Sequence, residues 1–296
     1  MILALLPLLL TTGAVPVAER HDTPRPDGTA IHWSVENADG APARSPAILV
    51  MQGTGCEPVA EKPNLAHAGR LLVPGARTIL IDKVGAESST PGPRVEGCSQ
   101  TYWDRYTLSG RVEDVLRVIA DLRRQAWWNG RIVIFGGSEG GAVAALVAPL
   151  IPETAAVVIL SSGAGVPVGD LIRAAVPPDM AAQAPAIFAA ARARPTGQER
   201  WAGLSYRWWA DAMDVVPARS LARSPAPVLL IHGARDQSSP VATARAGRDL
   251  LLAAGKADTD YREYADYDHF MCDRAGGAHM DSVLQDAARW IAPHLR

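Results

Sequence analysis

The sequence predicts an α/β protein with a mostly parallel central sheet and helices on both faces. Apolar runs rich in Val, Ile and Leu recur at residues 47–52, 78–82, 131–135, 157–160 and 227–233. Continuous apolar runs of this length are typical of parallel strands, which are buried on both faces. Helical segments separate the runs, as the alternation of strand and helix in a parallel sheet requires.

The elements around these strands are predicted from periodicity and spacing. Residues 106–124 carry six apolar side chains on one helical face. A last strand is expected at 261–264 and a final helix at 280–291. About sixty residues separate two consecutive core strands, far more than a plain crossover needs. An inserted helical cap is therefore expected at about 164–224.

The most informative motif is GGSEGG at residues 136–141. It follows an apolar strand and precedes the Ala- and Val-rich segment 142–150. Glycines on both sides permit a tight turn that exposes a serine at the end of the strand. The N-terminus of the next helix can stabilise negative charge on a reacting oxygen. The motif predicts Ser138 as a nucleophile. The alternative is a glycine-rich turn whose serine has no chemical role.

A serine nucleophile needs a base and an acid that orients the base. Asp236 follows the strand at 227–233 by three residues, at the end of the sheet where the acid is expected. It is predicted to be that acid. The alternative is an Asx-turn, or a helix N-cap before Pro240.

The base is sought among seven histidines. Only His269 and His279 follow Asp236 in the required order and in a suitable context. His269 lies in the loop before the final helix and is predicted to be the base. His279 begins that helix, where capping is the simpler interpretation. His232 lies inside a core strand and is interpreted as structural.

With these three elements in order, the chain resembles the α/β-hydrolase-fold serine hydrolases from about Thr29 to its C-terminus. The GGSEGG motif is similar to those of bacterial esterases and of dienelactone-hydrolase-like or prolyl-oligopeptidase-like relatives. Dienelactone hydrolases carry cysteine at the nucleophile position, so a serine there argues against their substrate. The resemblance implies the α/β-hydrolase fold and the catalytic triad Ser138, Asp236 and His269.

The resemblance also implies an oxyanion hole built from backbone N–H groups. One donor is expected from Thr54 or Gly55, which follow the strand at 47–52. The other is the N–H of Glu139, directly after the nucleophile. The side chain of Glu139 is expected to favour the helix dipole. Gln52 stands where many relatives carry histidine, but the backbone rather than that side chain supplies the donors.

Composition and the N-terminus limit the function classes. The chain has 296 residues, 48% of them hydrophobic, and a net charge of −2, which fits one domain and gives no electrostatic case for nucleic acid. Cofactor and metal motifs are absent from the sequence, so neither is expected. The apolar run at 2–10 is too short to span a bilayer.

With the small residues that follow, this run predicts a signal peptide at 1–18, before a hydrolase domain at 19–296. The protein is then exported, periplasmic or secreted. The alternative is a short N-terminal anchor or a misassigned start.

Three cysteines and the cap tryptophans complete the candidate site. Cys56 and Cys98 lie on loops after parallel strands, and a disulfide between them is predicted. Cys272 is then left over, and the alternative is three free thiols. Trp201 and Trp208 are seven residues apart and would share a face on a helix. They are predicted to line an apolar acyl or aryl pocket, or else only to pack the cap.

These features predict an exported serine hydrolase that cleaves a small-molecule carboxylic ester through an acyl-enzyme. One alternative is an aminopeptidase-like serine peptidase, in which Glu199, Asp211 and Asp214 of the cap would hold the substrate amine. Another is a hydrolase-fold protein that binds a partner without catalysis.

Overall fold

The computed structural model describes residues 18–37, 41–87 and 97–296. The predicted signal peptide therefore lies, except for Ala18, outside the described residues. Part of the loop before Cys98 also lies outside them. In the described ranges, no helix has both the length and the apolar character that a membrane span requires.

Strands from the whole described chain assemble around one central sheet. In chain order the strands are β1 (Glu19–Pro24), β2 (Ala30–Glu36), β3 (Ser45–Met51), β4 (Arg77–Ile81), β5 (Trp128–Gly137), β6 (Thr154–Leu160), β7 (Arg200–Trp201), β8 (Leu204–Ser205), β9 (Val228–Gly233) and β10 (Thr259–Tyr264). Eight of them form the sheet, in the order β1-β2-β4-β3-β5-β6-β9-β10. Pairing is antiparallel at β1–β2 and β2–β4 and parallel from β4 to β10. The predicted fold class is confirmed.

Helices cover both faces of this sheet. They are α1 (Pro63–Leu72), α2 (Gln100–Arg105), α3 (Leu108–Leu122), α4 (Glu139–Val147), α5 (Val168–Ala175), α6 (Pro178–Ala193), α7 (Tyr206–Ala212), α8 (Pro217–Leu221), α9 (Val241–Ala253) and α10 (Met280–Ile291). Three of them begin at a hydroxyl that accepts a backbone N–H, which satisfies a donor left free by the helix. The capping residues are Ser99, Thr107 and Ser205.

The core forms two layers, one on each face of the sheet, and alternate residues of a strand belong to different layers. In β3, Ile48 and Val50 pack with residues of α1 and α10, whereas Leu49 and Met51 pack with residues of α3 and α4. All four side chains are at most 3% exposed. Successive side chains of a strand point to opposite faces, so a strand covered by helices on both sides must be apolar throughout.

The segment between β6 and β9 contains α5, α6, the β7–β8 hairpin, α7 and α8. Its centre is Trp209, which is fully buried and lies 5.1 Å, centroid to centroid, from the rings of Phe188, Trp201 and Trp208. Trp201 ends β7, and α7 begins only at Tyr206. The helical spacing expected for Trp201 and Trp208 therefore does not apply, because a tight hairpin turn separates them.

A disulfide joins Cys56, in the loop after β3, to Cys98, just before α2, with 5.7 Å between the two Cα atoms. Cys56 is buried, whereas the free Cys272 is partly exposed. The bridge ties the loop after β3 to the segment that leads into α2.

We expect the variant Cys56→Ala/Cys98→Ala to melt at a lower temperature than the native protein. The bridge spans 42 residues, and a loop of that size restricts the unfolded chain by about 3–4 kcal/mol. Cys272→Ala is the matched control, since it removes a thiol and leaves the bridge intact. Mass spectrometry of a non-reduced digest should find a peptide linking Cys56 to Cys98. A Cys98–Cys272 link, or three free thiols in exported protein, would contradict the pairing.

Candidate active site

Ser138 lies on a strained turn between β5 and α4. Its backbone has φ 54° and ψ −127°, a conformation that residues other than glycine rarely adopt. The turn is compact because its framing glycines lie against other backbone. A Cβ at Gly136 would be 2.2 Å from the carbonyl oxygen of Gly140, and one at Gly140 would be 2.3 Å from that of Met51. Close packing requires the two glycines, and the turn places Ser138 just beyond the carboxyl end of β5.

Asp236 uses its two carboxylate oxygens for different purposes. Oδ1 accepts the backbone N–H groups of Ser238, at 2.9 Å, and Ser239, at 2.7 Å. Oδ2 lies 2.8 Å from Nδ1 of His269. The Asx-turn considered as an alternative from the sequence is therefore present, and it coexists with the contact to the histidine. The turn fixes the carboxylate so that its other oxygen faces His269.

The charge of Asp236 is set by opposing effects. Burial raises the pKa of the carboxyl, but hydrogen bonds from His232 and His269 outweigh burial and lower the pKa to about 2, from 3.8. The group therefore stabilises the fold above pH 4, and this contribution is lost as the pH falls through about 2. At neutral pH the ionised carboxylate can only accept, so Nδ1 of His269 donates and Nε2 is free to accept a proton.

The loop that carries His269 is shaped by local hydrogen bonds. Asp268 Oδ1 accepts the backbone N–H groups of Phe270 and Cys272, both at 2.9 Å. The loop passes directly over the end of β9, where a Cβ at Gly233 would lie 2.4 Å from the carbonyl oxygen of Tyr267. A glycine at the end of β9 therefore lets the histidine loop approach Asp236.

His232 also contacts the acid, which the sequence analysis did not foresee. Its Nε2 lies 2.7 Å from the carbonyl oxygen of Ser239 and 3.2 Å from Asp236 Oδ2. Because a carbonyl oxygen only accepts, Nε2 must carry the proton. The interpretation of His232 as a buried strand residue agrees with its 1% exposure. The spacing of four residues to Asp236 across a strand end is the signal that sequence reasoning did not use.

His279 takes a different position. It is the N-cap residue of α10, yet its side chain makes no capping hydrogen bond, so the capping interpretation of that side chain is wrong. Instead, Nε2 lies 2.7 Å from Asp273 Oδ2, and the ring stacks on Tyr267. Asp273 in turn accepts backbone N–H groups of its own turn, which makes this a local loop contact.

Ser138 and His269 line one cavity of about 460 Å³. Thr54 and Glu139 line it as well, whereas Gly55 and Trp201 are not among its described lining residues. Trp208 does line it, so of the two tryptophans predicted for the pocket, only one reaches it. Trp201 instead packs against the rings of Phe188 and Trp209. Ten apolar side chains line the cavity, some from the segment between β6 and β9 and the others from elsewhere in the chain: Leu65, Leu108, Ala142, Val168, Leu171, Ile172, Leu204, Trp208, Pro217 and Phe270.

The loop after β3 contacts Ser138 at Gly53. A Cβ at Gly53 would lie 3.5 Å from Cβ of Ser138. At Gly55, where φ is 126°, an added Cβ would lie 2.4 Å from Oε2 of Glu57. Gly53 therefore lies against Ser138, and the donor role expected of Thr54 or Gly55 stays a prediction.

The side chain of Glu139 is the centre of a buried ionic network. Its Oε1 accepts from Lys83 Nζ at 2.8 Å, from Arg111 Nη1 at 3.3 Å and from the hydroxyl of Tyr106. Burial lowers the pKa of Lys83 to about 8 and raises that of Tyr106 well above its usual value. The sequence predicted only an interaction of Glu139 with the helix dipole. The network was not predicted, because the partners of Glu139 lie far from it in the sequence.

Comparison with known proteins agrees with the serine motif and the sheet topology. Residues 103–296 match the prolyl oligopeptidase family. The chain belongs to this family. Members of the prolyl oligopeptidase family are serine hydrolases, and so is this protein. Among curated proteins, none matches the sequence significantly.

Three solved structures illustrate the shared fold. Est1E from Butyrivibrio proteoclasticus has a TM-score of 0.64 and 14% identity, covering 93% of this chain and 98% of its own. A monoacylglycerol lipase from Paleococcus ferrophilus has a TM-score of 0.60 and 17% identity, covering 90% and 100%. A puromycin-hydrolyzing peptidase from Mycobacterium tuberculosis has a TM-score of 0.62 and 16% identity, covering 97% of this chain but 41% of its own. Esterase and peptidase neighbours thus share the α/β-hydrolase fold.

Mutation can show which of two histidines, His269 or His279, is the base. We expect His269→Ala to lower kcat by about as much as loss of Ser138, roughly 10⁶-fold, because such residues act as a unit. Asp236→Asn should cost about 10⁴-fold through loss of the correct tautomer. His279→Ala is the matched control, since it removes a histidine bound to Asp273. Steady-state kinetics of the three variants test the assignment. A crippled His279→Ala beside a mild His269→Ala would overturn it.

Proposed function

We propose that this protein is a serine hydrolase that cleaves small-molecule carboxylic esters through an acyl-enzyme intermediate. Ser138 is the nucleophile, His269 the base and Asp236 the acid that orients the base. The observation that carries the proposal is the cavity shared by Ser138 and His269, with His269 held by an ionised carboxylate at 2.8 Å. Chain order and the strained turn at residue 138 support the same assignment.

In the proposed reaction, Oγ of Ser138 attacks the ester carbonyl carbon while its proton passes to Nε2 of His269. The carbonyl oxygen becomes an oxyanion, stabilised by the backbone N–H groups of Thr54 and Glu139. The C–O bond to the alcohol then breaks, and the leaving oxygen takes the proton from His269. Water repeats the sequence on the acyl-enzyme and releases the acid. Asp236 stabilises the imidazolium that forms in each half.

The cap carboxylates argue for an ester rather than a peptide with a free amine. Glu199 pairs with Arg194, and Asp214 pairs with Arg192 at 2.7 Å. Asp211 accepts from the backbone and hydroxyl of Ser109. None of the three carboxylates is among the described residues that line the cavity. An aminopeptidase that used them would have to break these contacts first.

The cavity wall favours an apolar acyl or aryl group. The aliphatic side chains of α5 and the Trp208 ring lie on the cap side, and their burial against a ligand would favour binding by the hydrophobic effect. Ferulic acid binds to Est1E, one of the proteins with the same fold. A hydroxycinnamate ester is therefore a reasonable member of a substrate panel.

Export is part of the same proposal. The Cys56–Cys98 disulfide supports it, because stable structural disulfides belong to oxidising compartments. The apolar N-terminal run supports it from the sequence alone.

The nucleophile can be tested without knowledge of the substrate. A fluorophosphonate probe should label Ser138, and Ser138→Ala should abolish both labelling and turnover while leaving the melting temperature nearly unchanged. A single hydroxyl on this turn contributes little to stability. Peptide mapping identifies the labelled residue. Labelling that persists in the variant would move the nucleophile elsewhere, and a native protein that is never labelled would favour a non-catalytic binding role.

The substrate class needs a panel of matched leaving groups. We expect the native protein to hydrolyse p-nitrophenyl esters of several acyl lengths and methyl ferulate, and to leave aminoacyl-p-nitroanilides nearly untouched. Absorbance at the nitrophenol and nitroaniline bands, with chromatography for ferulate, gives kcat/KM for each. The Ser138→Ala variant corrects for background hydrolysis. A preference for the anilides would instead favour the peptidase function found elsewhere in the family.

A further inference from the structure

Lys83 connects the two backbone segments that are proposed to form the oxyanion hole. It lies two residues after β4, and its side chain is completely buried. Its Nζ donates to the carbonyl oxygen of Gly53 at 2.7 Å and to Glu139 Oε1 at 2.8 Å. Nζ also lies over the ring of Tyr106, 4.8 Å from the ring centroid. Two of the three ammonium donors therefore make hydrogen bonds inside the site.

We propose that Lys83 is a positioning residue for the oxyanion hole, which holds the Thr54 N–H and the Glu139 N–H in a fixed relation. The inference rests on the proposed function, since it takes the oxyanion donors from that mechanism. Lys83 itself touches neither substrate nor nucleophile.

Peptide geometry explains how a lysine can orient an N–H group that it does not touch. The carbonyl of Gly53 and the N–H of Thr54 belong to one planar trans peptide, in which the two bonds point in opposite directions. A strong donor fixed on the carbonyl therefore fixes the direction of the N–H. The Gly53 peptide also lies against Ser138, so a rotation of this plane would move the donor relative to the reacting carbonyl.

Glu139 supplies the second half of the connection. Its carboxylate accepts from Lys83, and its own backbone N–H is the donor directly after the nucleophile. The charges that face Lys83 are Glu139 and Glu57, both acidic, and the cationic Arg111. Arg111 contacts the same Glu139 oxygen, at 3.3 Å, but it has no hydrogen bond to Gly53 among those the structure describes. Two buried cations therefore share one carboxylate, and only Lys83 reaches the loop.

Stability alone gives a weak reason for this arrangement. Burying a lysine ammonium costs free energy that its ion pair only partly offsets. That cost is visible in the pKa of Lys83, which burial lowers to about 8 from 10.5. A geometric role in the site explains why the cation is kept there.

The experiment compares Lys83→Met with Arg111→Met, using the rate constant for fluorophosphonate labelling of Ser138. In this reaction the Oγ–P bond forms, the P–F bond breaks, fluoride leaves, and the serine proton passes to His269. The phosphoryl oxygen then occupies the oxyanion hole. We expect labelling to slow by about 10- to 100-fold in Lys83→Met and by less than about 3-fold in Arg111→Met. For any ester that is turned over, kcat should fall while KM changes little.

Several outcomes would overturn the inference. Equal losses in both variants would show a general effect of removing a buried cation, and a normal labelling rate in Lys83→Met would show that the loop holds its position without the lysine. Labelling does not depend on whether the substrate is an ester. A native protein that is labelled but hydrolyses no ester would therefore refute the proposed substrate and leave this test intact.

The pH dependence of the native protein provides a second test if Lys83→Met does not fold. Above about pH 8 the folded protein loses the Lys83 proton before the unfolded chain does, so this group raises the free energy of unfolding with pH up to about 10. The neutral amine keeps two N–H donors but loses the charge that strengthens its bond to Gly53, so the labelling rate should fall over the same range. Activity and stability are thus expected to move in opposite directions. A labelling rate that stays level to pH 9.5 would contradict the role of Lys83.

Discussion

The parallel register of four neighbouring strands is the constraint on which the site depends. Met51 of β3 pairs with Gly136 of β5, and Leu160 of β6 pairs with Ile231 of β9. Strands in this register end at one edge of the sheet, so the segments that follow them emerge side by side. The Gly53 peptide, Ser138 and Asp236 all lie just beyond those ends. The backbone hydrogen bonds between these strands bring the three segments to one end of the sheet, before any side-chain contact is made.

Hydrogen-bond donors determine the charge and the orientation of Asp236 at this end of the sheet. Asp236 is ionised because four donors surround it: two backbone N–H groups and two histidines. A carboxylate with that many donors cannot rotate freely, and a fixed carboxylate fixes the tautomer of His269. His232 contributes from the core side, where it also binds the carbonyl of Ser239. The acid is therefore held from both the solvent side and the core side.

Local signals predicted much of this arrangement. The apolar runs indicated the parallel sheet, and GGSEGG indicated the strand-to-helix turn, since both depend on residues adjacent in sequence. Contacts between residues far apart in the sequence leave no such local signal. Lys83 and Glu139 are far apart in the chain, and nothing in the residues around either one indicates the other. The predicted pocket position of Trp201 was wrong because the prediction assumed one helix from Trp201 to Trp208. The chain instead forms a short hairpin there, so a spacing of seven residues does not place the two rings on one face.

Contacts of different chemistry restrain the loop after β3, and this bears on how the site would stabilise charge. Lys83 holds the carbonyl of Gly53, the amide of Gln52 donates to the carbonyl of Glu57 at 3.1 Å, and the disulfide holds Cys56. An oxyanion hole is effective when its donors are in place before charge develops, since reorganising them would consume the energy they supply. The restraints differ in chemistry, so reduction breaks only the disulfide and a rise in pH weakens only the Lys83 contact. In the proposed mechanism, a loop held in this way would keep its donors in position through both halves of the acyl-transfer cycle.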